Sequence, residues 1–299
     1  MRFDAVIFDI DNVLVDTRAS YTDCIRKTVE TYLTSLGFRP SRKPLLSRRD
    51  VEAFKSLGGF NDDWDTCYGL LLYFLSLKIQ RKTINDLWKQ KNIAGLKNVG
   101  ASPRGRPHNK GRHRGLPLHS TGPKRAEKWF GKNPSVTIQK IAEIFQRFYL
   151  NEFMWNEKLL IPRSFLKTLK RAGLKVGIVT GRNREEAQFA LRRFQIDSFI
   201  DAMITIDETP KPFKKPDPWG LLKIAAKLGK NLRYLYVGDL PDDVLAARRA
   251  KQKMKISSVG YLAASEFPKE MARELKKAGA DFVCGKPKEL MKIISPIRR

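Results

Sequence analysis

Three runs of consecutive apolar residues recur along the chain, and polar residues follow each of them. These are residues 5–8 before Asp9 and Asp11, residues 176–179 before Thr180, and residues 234–237 before Gly238 and Asp239. Because the apolar residues are continuous rather than alternating, each run predicts a strand buried on both faces, as in a parallel sheet. Open parallel sheets bind ligands at the carboxyl ends of their strands, so these polar residues are predicted to line one edge.

Helical and strand patterns alternate along the chain after residue 157. The spacing of apolar residues predicts helices over 164–172, 184–194, 216–228, 242–251, 268–277 and 287–294, and further strands over 202–206, 256–259 and 281–283. Alternating β and α predicts an α/β fold with a doubly wound, Rossmann-like parallel sheet. The first strand must join this sheet across residues 16–157. That segment is therefore predicted to be an inserted domain, and residues 1–15 and 158–299 form the core domain.

The inserted segment shows helical spacing and no convincing strand. Helices are predicted over 18–36 and 50–57, from an Asn61 cap to Leu75, and over 135–148. The insertion is thus expected to be an α-helical domain.

A strongly basic stretch lies within the insertion at residues 95–135. It contains ten Lys or Arg residues against the single acid Glu127, together with seven Gly and five Pro. Since it lacks an apolar period, it predicts a loop without fixed structure. A real contact with a polyanion is the alternative interpretation, because the whole chain carries a net charge of +27 that attracts nucleic acid at low salt.

Composition excludes several classes of site. The three cysteines are scattered and form no CxxC pair, which disfavours a disulfide framework or a zinc site. All three histidines lie within residues 95–135, so a Ser-His or Cys-His triad in the core is excluded. There is no apolar run of eighteen residues, and the first residues are unlike a signal peptide. We expect no membrane contact and a cytoplasmic location.

Asp9 and Asp11 are two residues apart at the end of the first predicted strand. Side chains at this spacing on an extended segment point the same way, so two carboxylates would share a small volume. Like charges at that range oppose joint ionisation unless a cation lies between them or one binds a proton. An ordinary strand followed by an acidic turn is the alternative interpretation.

The other predicted strand ends supply complementary groups. Thr180 offers a hydroxyl, Asp239 with Asp242 and Asp243 offers carboxylates, and Lys215 precedes a predicted helix start. Carboxylate and phosphate oxygens are ligands that Mg²⁺ prefers, and a lysine with backbone N–H groups can neutralise phosphate charge. Together these residues predict a site for phosphoryl transfer.

At this point the chain resembles the haloacid dehalogenase superfamily. The similarity rests on four motifs in their order: Asp9-Ile10-Asp11, Thr180, Lys215 before Pro216, and Gly238-Asp239 with Asp243. The long first insertion resembles subfamily I, which includes phosphoglycolate phosphatase-like enzymes with a helical cap domain. The segment Gly58–Asp65, which contains GGFNDDWD, resembles a small, poorly characterised clade of that subfamily. The resemblance implies a Mg²⁺-dependent phosphatase acting on a small phosphorylated metabolite.

The same resemblance implies residue roles. Asp9 is the nucleophile and Asp11 the general acid and base. The metal ligands are Asp9, the backbone carbonyl of Asp11 and Asp239, with Asp243 either as a further ligand or as a residue that supports the ligands. Thr180, the Gly181 amide, Lys215 and the turn residue Asn12 bind the phosphoryl group. Asn12 replaces the usual glycine, and Asn tolerates the left-handed backbone that this turn needs.

Several alternatives remain open at the level of sequence. Asp242 or Asp243 could cap a helix, Lys215 could be a surface lysine, and Lys211 also precedes a proline. A phosphomutase on the same scaffold, or a nucleic-acid-binding protein that has lost catalysis, would share much of this pattern. The oligomeric state is not predicted.

Overall fold

The computed structural model describes residues 3–97, 122–229 and 231–295. The chain divides into two compact units, Met1–Arg18 with Glu157–Arg299, and Ala19–Asn156. The sequence predicted that the inserted domain begins at residue 16 and ends at residue 157. No helix in the described residues is long and apolar enough to cross a membrane.

The first unit is built on a six-stranded parallel sheet. In chain order the strands of the described residues are β1 (Ala5–Phe8), β2 (Val15–Asp16), β3 (Lys158–Leu159), β4 (Lys175–Val179), β5 (Ala202–Ile204), β6 (Tyr234–Gly238), β7 (Ile256–Tyr261) and β8 (Phe282–Cys284). The order across the sheet is β5-β4-β1-β6-β7-β8, and β2 pairs with β3 in a separate antiparallel ladder. Strand β1 lies at the centre, with Ala5 opposite both Lys175 and Tyr234. The doubly wound α/β fold is therefore confirmed.

Helices cover the sheet and build the second unit. They are α1 (Asp23–Ser35), α2 (Arg48–Lys55), α3 (Asp63–Ser76), α4 (Ile84–Gln90), α5 (Gly122–Phe130), α6 (Ile138–Phe148), α7 (Arg163–Arg171), α8 (Arg184–Arg193), α9 (Trp219–Leu228), α10 (Pro241–Ala250), α11 (Pro268–Ala278) and α12 (Pro287–Ile294). The predicted strand at 202–206 ends at Ile204, and α4 and the β2–β3 ladder were not predicted.

The two faces of β1 explain its continuous apolar sequence. Val6 and Phe8 belong to a core cluster with Leu166 of α7. Ala5 and Ile7 belong to a separate cluster on helices α9 and α10. Every residue of β1 is fully buried, because helices pack on both faces of the strand. A strand exposed on one face would instead show alternation.

The predicted helix over residues 216–228 begins later than the sequence indicated. Helix α9 starts at Trp219, and the side chain of Asp217 accepts a hydrogen bond from the Trp219 backbone N–H at 2.9 Å. The Lys215–Pro216 peptide is cis. Residues 215–218 thus form a turn before the helix rather than its first turn.

The second unit is α-helical around an aromatic core that includes Tyr32, Phe54, Phe60 and Phe145. Helix α3 is capped by Asp62, whose carboxylate accepts from the backbone N–H groups of residues 64 and 65. The prediction that Asn61 caps this helix is wrong. Both residues can cap, and the turn geometry alone decides which one precedes the helix.

The prediction of a loop without fixed structure over residues 95–135 is wrong for residues 122–130. Residues 122–130 form α5, in which Ala126 is fully buried. The Trp129 ring lies 6.0 Å from Phe60, and the Phe130 ring lies 5.4 Å from Tyr73. The segment begins with Gly122 and Pro123 and is rich in basic residues, which is typical of a loop, so only its packing against α3 reveals the helix. Residues 98–121, including the three histidines, lie outside the described residues.

The packing of α5 yields a test in stability. Ala126→Glu places a carboxylate in the buried face and is expected to cost about 2–4 kcal/mol of unfolding free energy. Lys128→Glu, on the exposed side of the same helix, is the control and is expected to cost less than about 0.5 kcal/mol. Chemical denaturation of both variants measures the difference. Equal stabilities would support a loop at these residues.

Candidate functional site

Asp9 lies directly after β1, at the carboxyl edge of the sheet. Its backbone N–H donates to the Val237 carbonyl at 2.9 Å and thereby extends the β1–β6 ladder. The chain then turns, because the N–H groups of Leu14 and Val15 both donate to the Ile10 carbonyl at 2.9 Å. Asn12 has φ of +57°, as expected for a residue that replaces glycine in this turn.

The Lys215 side chain lies between two carboxylates. Its Nζ is 2.8 Å from Asp9 Oδ2 and 2.8 Å from Asp243 Oδ1. All three side chains are largely removed from solvent, with exposures of 9%, 6% and 1% for Lys215, Asp9 and Asp243. Lys215 is thus not the surface lysine that was one alternative. The side chain of Lys211 lies outside the described residues.

Asp243 is held in this cluster by two further contacts. Tyr236 donates its hydroxyl to Asp243 Oδ1 at 2.7 Å, and the Leu240 N–H donates to Oδ2 at 3.1 Å. A Cβ on Gly238 would lie 2.7 Å from Oδ2, which real structures do not tolerate. Gly238 is therefore required for the close approach of α10 to the strand end. Asp243 caps the start of α10 and belongs to the acidic cluster as well.

Three carboxylates converge beside Lys215. Ligand oxygens of Asp9, Asp239 and Asp243 all lie within 4.8 Å of one another. Asn12 Nδ2 donates to Asp239 Oδ2 at 3.3 Å, and the Asn12 Oδ1 accepts from the Thr17 hydroxyl at 3.1 Å. The turn after β1 thereby orients Asp239. This oxygen-rich set could hold a hard divalent cation.

Thr180 and Gly181 follow β4, the neighbour of β1. The Thr180 N–H donates to the Ile204 carbonyl at 3.1 Å, and its Oγ1 accepts from the Arg182 N–H at 3.2 Å. Thr180 is 4% exposed. No described atom would lie within 4 Å of a Cβ on Gly181, so space is open beside its backbone.

The carboxylate of Asp11 faces Arg182 rather than the acidic cluster. Arg182 Nε and Nη2 both donate to Asp11 Oδ1, at 3.0 and 2.8 Å. Arg182 Nη2 also donates to Glu157 Oε1 at 2.8 Å. No pattern in the sequence marked Arg182 or Glu157 as functional residues. Arg182 follows β4 and Glu157 precedes β3, far apart in sequence, and no sequence pattern predicted that Arg182 contacts both Asp11 and Glu157.

Burial and charge set the protonation of the cluster. Burial raises the pKa of the Asp9 carboxyl to about 7, with Asp243 and Asp11 adding to the shift and Lys215 opposing it. Burial alone would lower the pKa of Lys215, but Asp243 and Asp9 raise it well above its usual value. Lys215 is thus charged, and one more cation would favour ionised Asp9.

Comparison with known sequences finds a family model that matches most of the chain. The sequence model described as haloacid dehalogenase-like hydrolase matches residues 3–251. A protein of Caldanaerobacter subterraneus subsp. tengcongensis named "Putative pyrophosphatase PpaX" is 30% identical over 187 residues, which are 59% of this chain and 80% of that protein. Pyrophosphatase PpaX of Halalkalibacterium halodurans is 30% identical over 128 residues, 41% of this chain and 58% of the relative.

Solved structures share the fold. A protein of Lactobacillus delbrueckii subsp. bulgaricus described as a "putative phosphoglycolate phosphatase" has a TM-score of 0.61 at 16% identity and covers 98% of this chain and 99% of its own. Phosphatase Tt82 from Thermococcus thioreducens has a TM-score of 0.55 at 22% identity, covering 91% of this chain and 98% of its own. At these identities the likeness establishes the fold alone.

The close approach at Gly238 can be tested by substitution. Gly238→Ala forces Asp243 away from its partners, so we expect a loss of about 1–3 kcal/mol in unfolding free energy. Gly285→Ala is the control, since its nearest new contact would be an ordinary 3.9 Å to Leu262. Denaturant titration compares the two. A Gly238→Ala variant as stable as Gly285→Ala would contradict this account of α10.

Proposed function

Because the chain belongs to the haloacid dehalogenase-like hydrolase family, we propose that it is a Mg²⁺-dependent phosphatase that hydrolyses a small phosphorylated metabolite through an aspartyl-phosphate on Asp9. One observation supports this most directly. Asp9 lies at a sheet edge with Lys215 Nζ at 2.8 Å and the carboxylates of Asp239 and Asp243 beside it. The proposed nucleophile, a lysine ammonium group and the carboxylates proposed as metal ligands thus share one small volume.

The donor set fits a magnesium ion. Asp9, Asp239 and Asp243 supply carboxylate oxygens, and the Asp11 carbonyl is the remaining protein ligand of the proposal. Three carboxylates near one lysine leave an excess of negative charge, which a divalent cation would balance. When bound, Mg²⁺ would neutralise phosphate charge and favour the ionised form of Asp9.

In the first step, an Asp9 carboxylate oxygen attacks phosphorus, and the bond from phosphorus to the leaving oxygen breaks. Asp11 donates its proton to that oxygen, so an alcohol leaves and Asp9 carries the phosphoryl group. Lys215, the Thr180 hydroxyl and the Gly181 N–H donate to the phosphoryl oxygens, with the Asn12 turn beside them. These donors stabilise the charge that develops in the transition state.

In the second step, ionised Asp11 takes a proton from a water molecule that attacks the phosphorus of the aspartyl-phosphate. The bond to Asp9 breaks, inorganic phosphate leaves, and Asp11 is again protonated for the next cycle. Release to water distinguishes this reaction from a phosphomutase, which would return the phosphoryl group to its product.

Inorganic pyrophosphate is a second candidate substrate. The curated relatives described above are named as pyrophosphatases, and one match spans 80% of the relative. Phosphate release across a panel of phosphorylated metabolites that includes pyrophosphate separates the two substrate classes. A clear preference for pyrophosphate would replace the monoester proposal without changing the roles of the residues.

Substitution of the nucleophile tests the covalent step. Asp9→Asn retains the shape but not the nucleophilic oxygen, so we expect turnover of p-nitrophenyl phosphate to fall at least about a thousandfold. Asp4→Asn is the matched control, because Asp4 lies just before the opposite end of β1 and pairs with Arg233. We expect that variant to keep activity within about twofold. An active Asp9→Asn enzyme would refute the aspartyl-phosphate.

Metal dependence is testable in binding as well as in activity. Mg²⁺ added to metal-free protein should raise its melting temperature, because a ligand that binds only the folded state stabilises it. Asp239→Asn should abolish that rise, whereas Asp4→Asn should keep it. EDTA should stop phosphate release and excess Mg²⁺ restore it. Full turnover in EDTA, or an unchanged thermal shift in Asp239→Asn, would contradict the metal assignment.

A further inference from the structure

The guanidinium of Arg182 is buried between two acidic side chains of its own unit. The side chain is 1% exposed, and that of Glu157 is 0% exposed. Arg182 Nη2 lies 2.8 Å from Glu157 Oε1, and Nη1 lies 3.4 Å from Oε2. On its other side, Nε and Nη2 donate to Asp11. One planar group therefore joins a fully buried carboxylate to that of Asp11, which is 32% exposed.

Stability alone is a poor explanation for this arrangement. Removing two charges from water costs more than their attraction returns in many proteins, and an apolar pair of similar volume often serves a core equally well. The Arg182 side chain of this pair also contacts Asp11, which is the general acid and base in the proposed function. Its placement suggests a role in orienting that carboxyl group.

The contact with Asp11 uses only one of its oxygens. Both N–H groups converge on Oδ1, and the described residues make no hydrogen bond to Oδ2. A carboxyl group held in this way has a fixed plane and one oxygen available to carry a proton. Glu157 offsets the charge of Arg182, so the guanidinium acts on Asp11 mainly through two directed donors.

The β2–β3 ladder explains how Glu157 reaches this place. Asp16 pairs with Lys158 and Val15 with Leu159 in antiparallel register. The ladder joins the turn that follows Asp11 to the residue after Glu157. Two strands of two residues each thus fix the position of Glu157 beside Arg182.

We infer that Arg182, held by Glu157, is a positioning residue that fixes the Asp11 carboxyl through Oδ1 and leaves Oδ2 for proton transfer. This inference rests on the proposed function. It predicts that loss of the Arg182–Glu157 pair impairs only the steps in which Asp11 gives or takes a proton. Binding of the phosphoryl group, which uses Lys215 and Thr180, should remain.

Two substrates of similar size separate these steps. p-Nitrophenolate leaves without a proton, whereas the alkoxide of 2-phenylethyl phosphate needs one. The double variant Arg182→Met with Glu157→Gln removes both charges and so avoids a lone buried ion. We expect its kcat/KM to fall about a hundredfold on 2-phenylethyl phosphate and less than about threefold on p-nitrophenyl phosphate.

The same variant should show a burst of p-nitrophenol equal to the enzyme concentration, because Asp11 must also activate water in the second step. Arg182→Lys is a second variant, for use if the double variant folds poorly. It keeps a charge beside Glu157 but has one donor nitrogen where Arg182 places two on Oδ1, so we expect the same difference between the two substrates. Arg233→Met with Asp4→Asn is the control, since it removes another Arg–carboxylate pair of this unit.

Each outcome decides the inference. An equal loss on both substrates, with a lowered melting temperature, would mean that Arg182 merely supports the fold. Wild-type kinetics in the double variant would equally overturn the positioning role. Failure of the proposed function looks different, because wild-type enzyme would then release phosphate from neither compound. Wild-type turnover with a substrate-dependent loss supports both.

Discussion

The buried ion cluster of Lys215 with Asp9 and Asp243 is the interaction on which the rest of the site depends. Two carboxylates this close oppose each other unless a cation lies between them, and Lys215 Nζ is 2.8 Å from each. The cluster needs exact backbone placement at two strand ends and one loop. Gly238 makes this placement possible at the end of β6, because any side chain there would collide with Asp243. A cluster so costly to bury is more readily explained by chemistry than by stability.

The parallel sheet supplies the geometry for this cluster. The central strand β1 has β4 and β6 as neighbours, so the residues after these three strands meet at one edge. Asp9, Thr180 and Asp239 reach that edge from segments far apart in sequence. The turn of Asn12 then reaches across to Asp239 through a side-chain hydrogen bond. The same turn leads into β2, whose pairing with β3 brings Glu157 towards Arg182 and Asp11.

The helical unit shows which helices the spacing of apolar residues can predict and which it cannot. Long helices with a broad apolar face, such as α1 and α6, were predicted because their buried residues repeat with helical spacing. Helix α5 was not predicted, since its single glycine, its single proline and its basic residues are typical of a loop. Its helical structure follows from packing, with the Trp129 ring beside Phe60 and the Phe130 ring beside Tyr73. Propensity is a weak guide for nine residues, and tertiary packing overrides it.

The sequence by itself determined the α/β class, the six strands of the parallel sheet and the polar residues that follow β1, β4 and β6. An apolar run is a local property, and the burial of both faces follows directly from it. It also indicated a left-handed turn at Asn12, which the backbone adopts. Only the tertiary structure decided that Arg182 meets Asp11, 171 residues away, and that Glu157 holds it. Such contacts depend on how segments that are distant in sequence are arranged in the fold. The spacing of residues within one segment does not encode that arrangement.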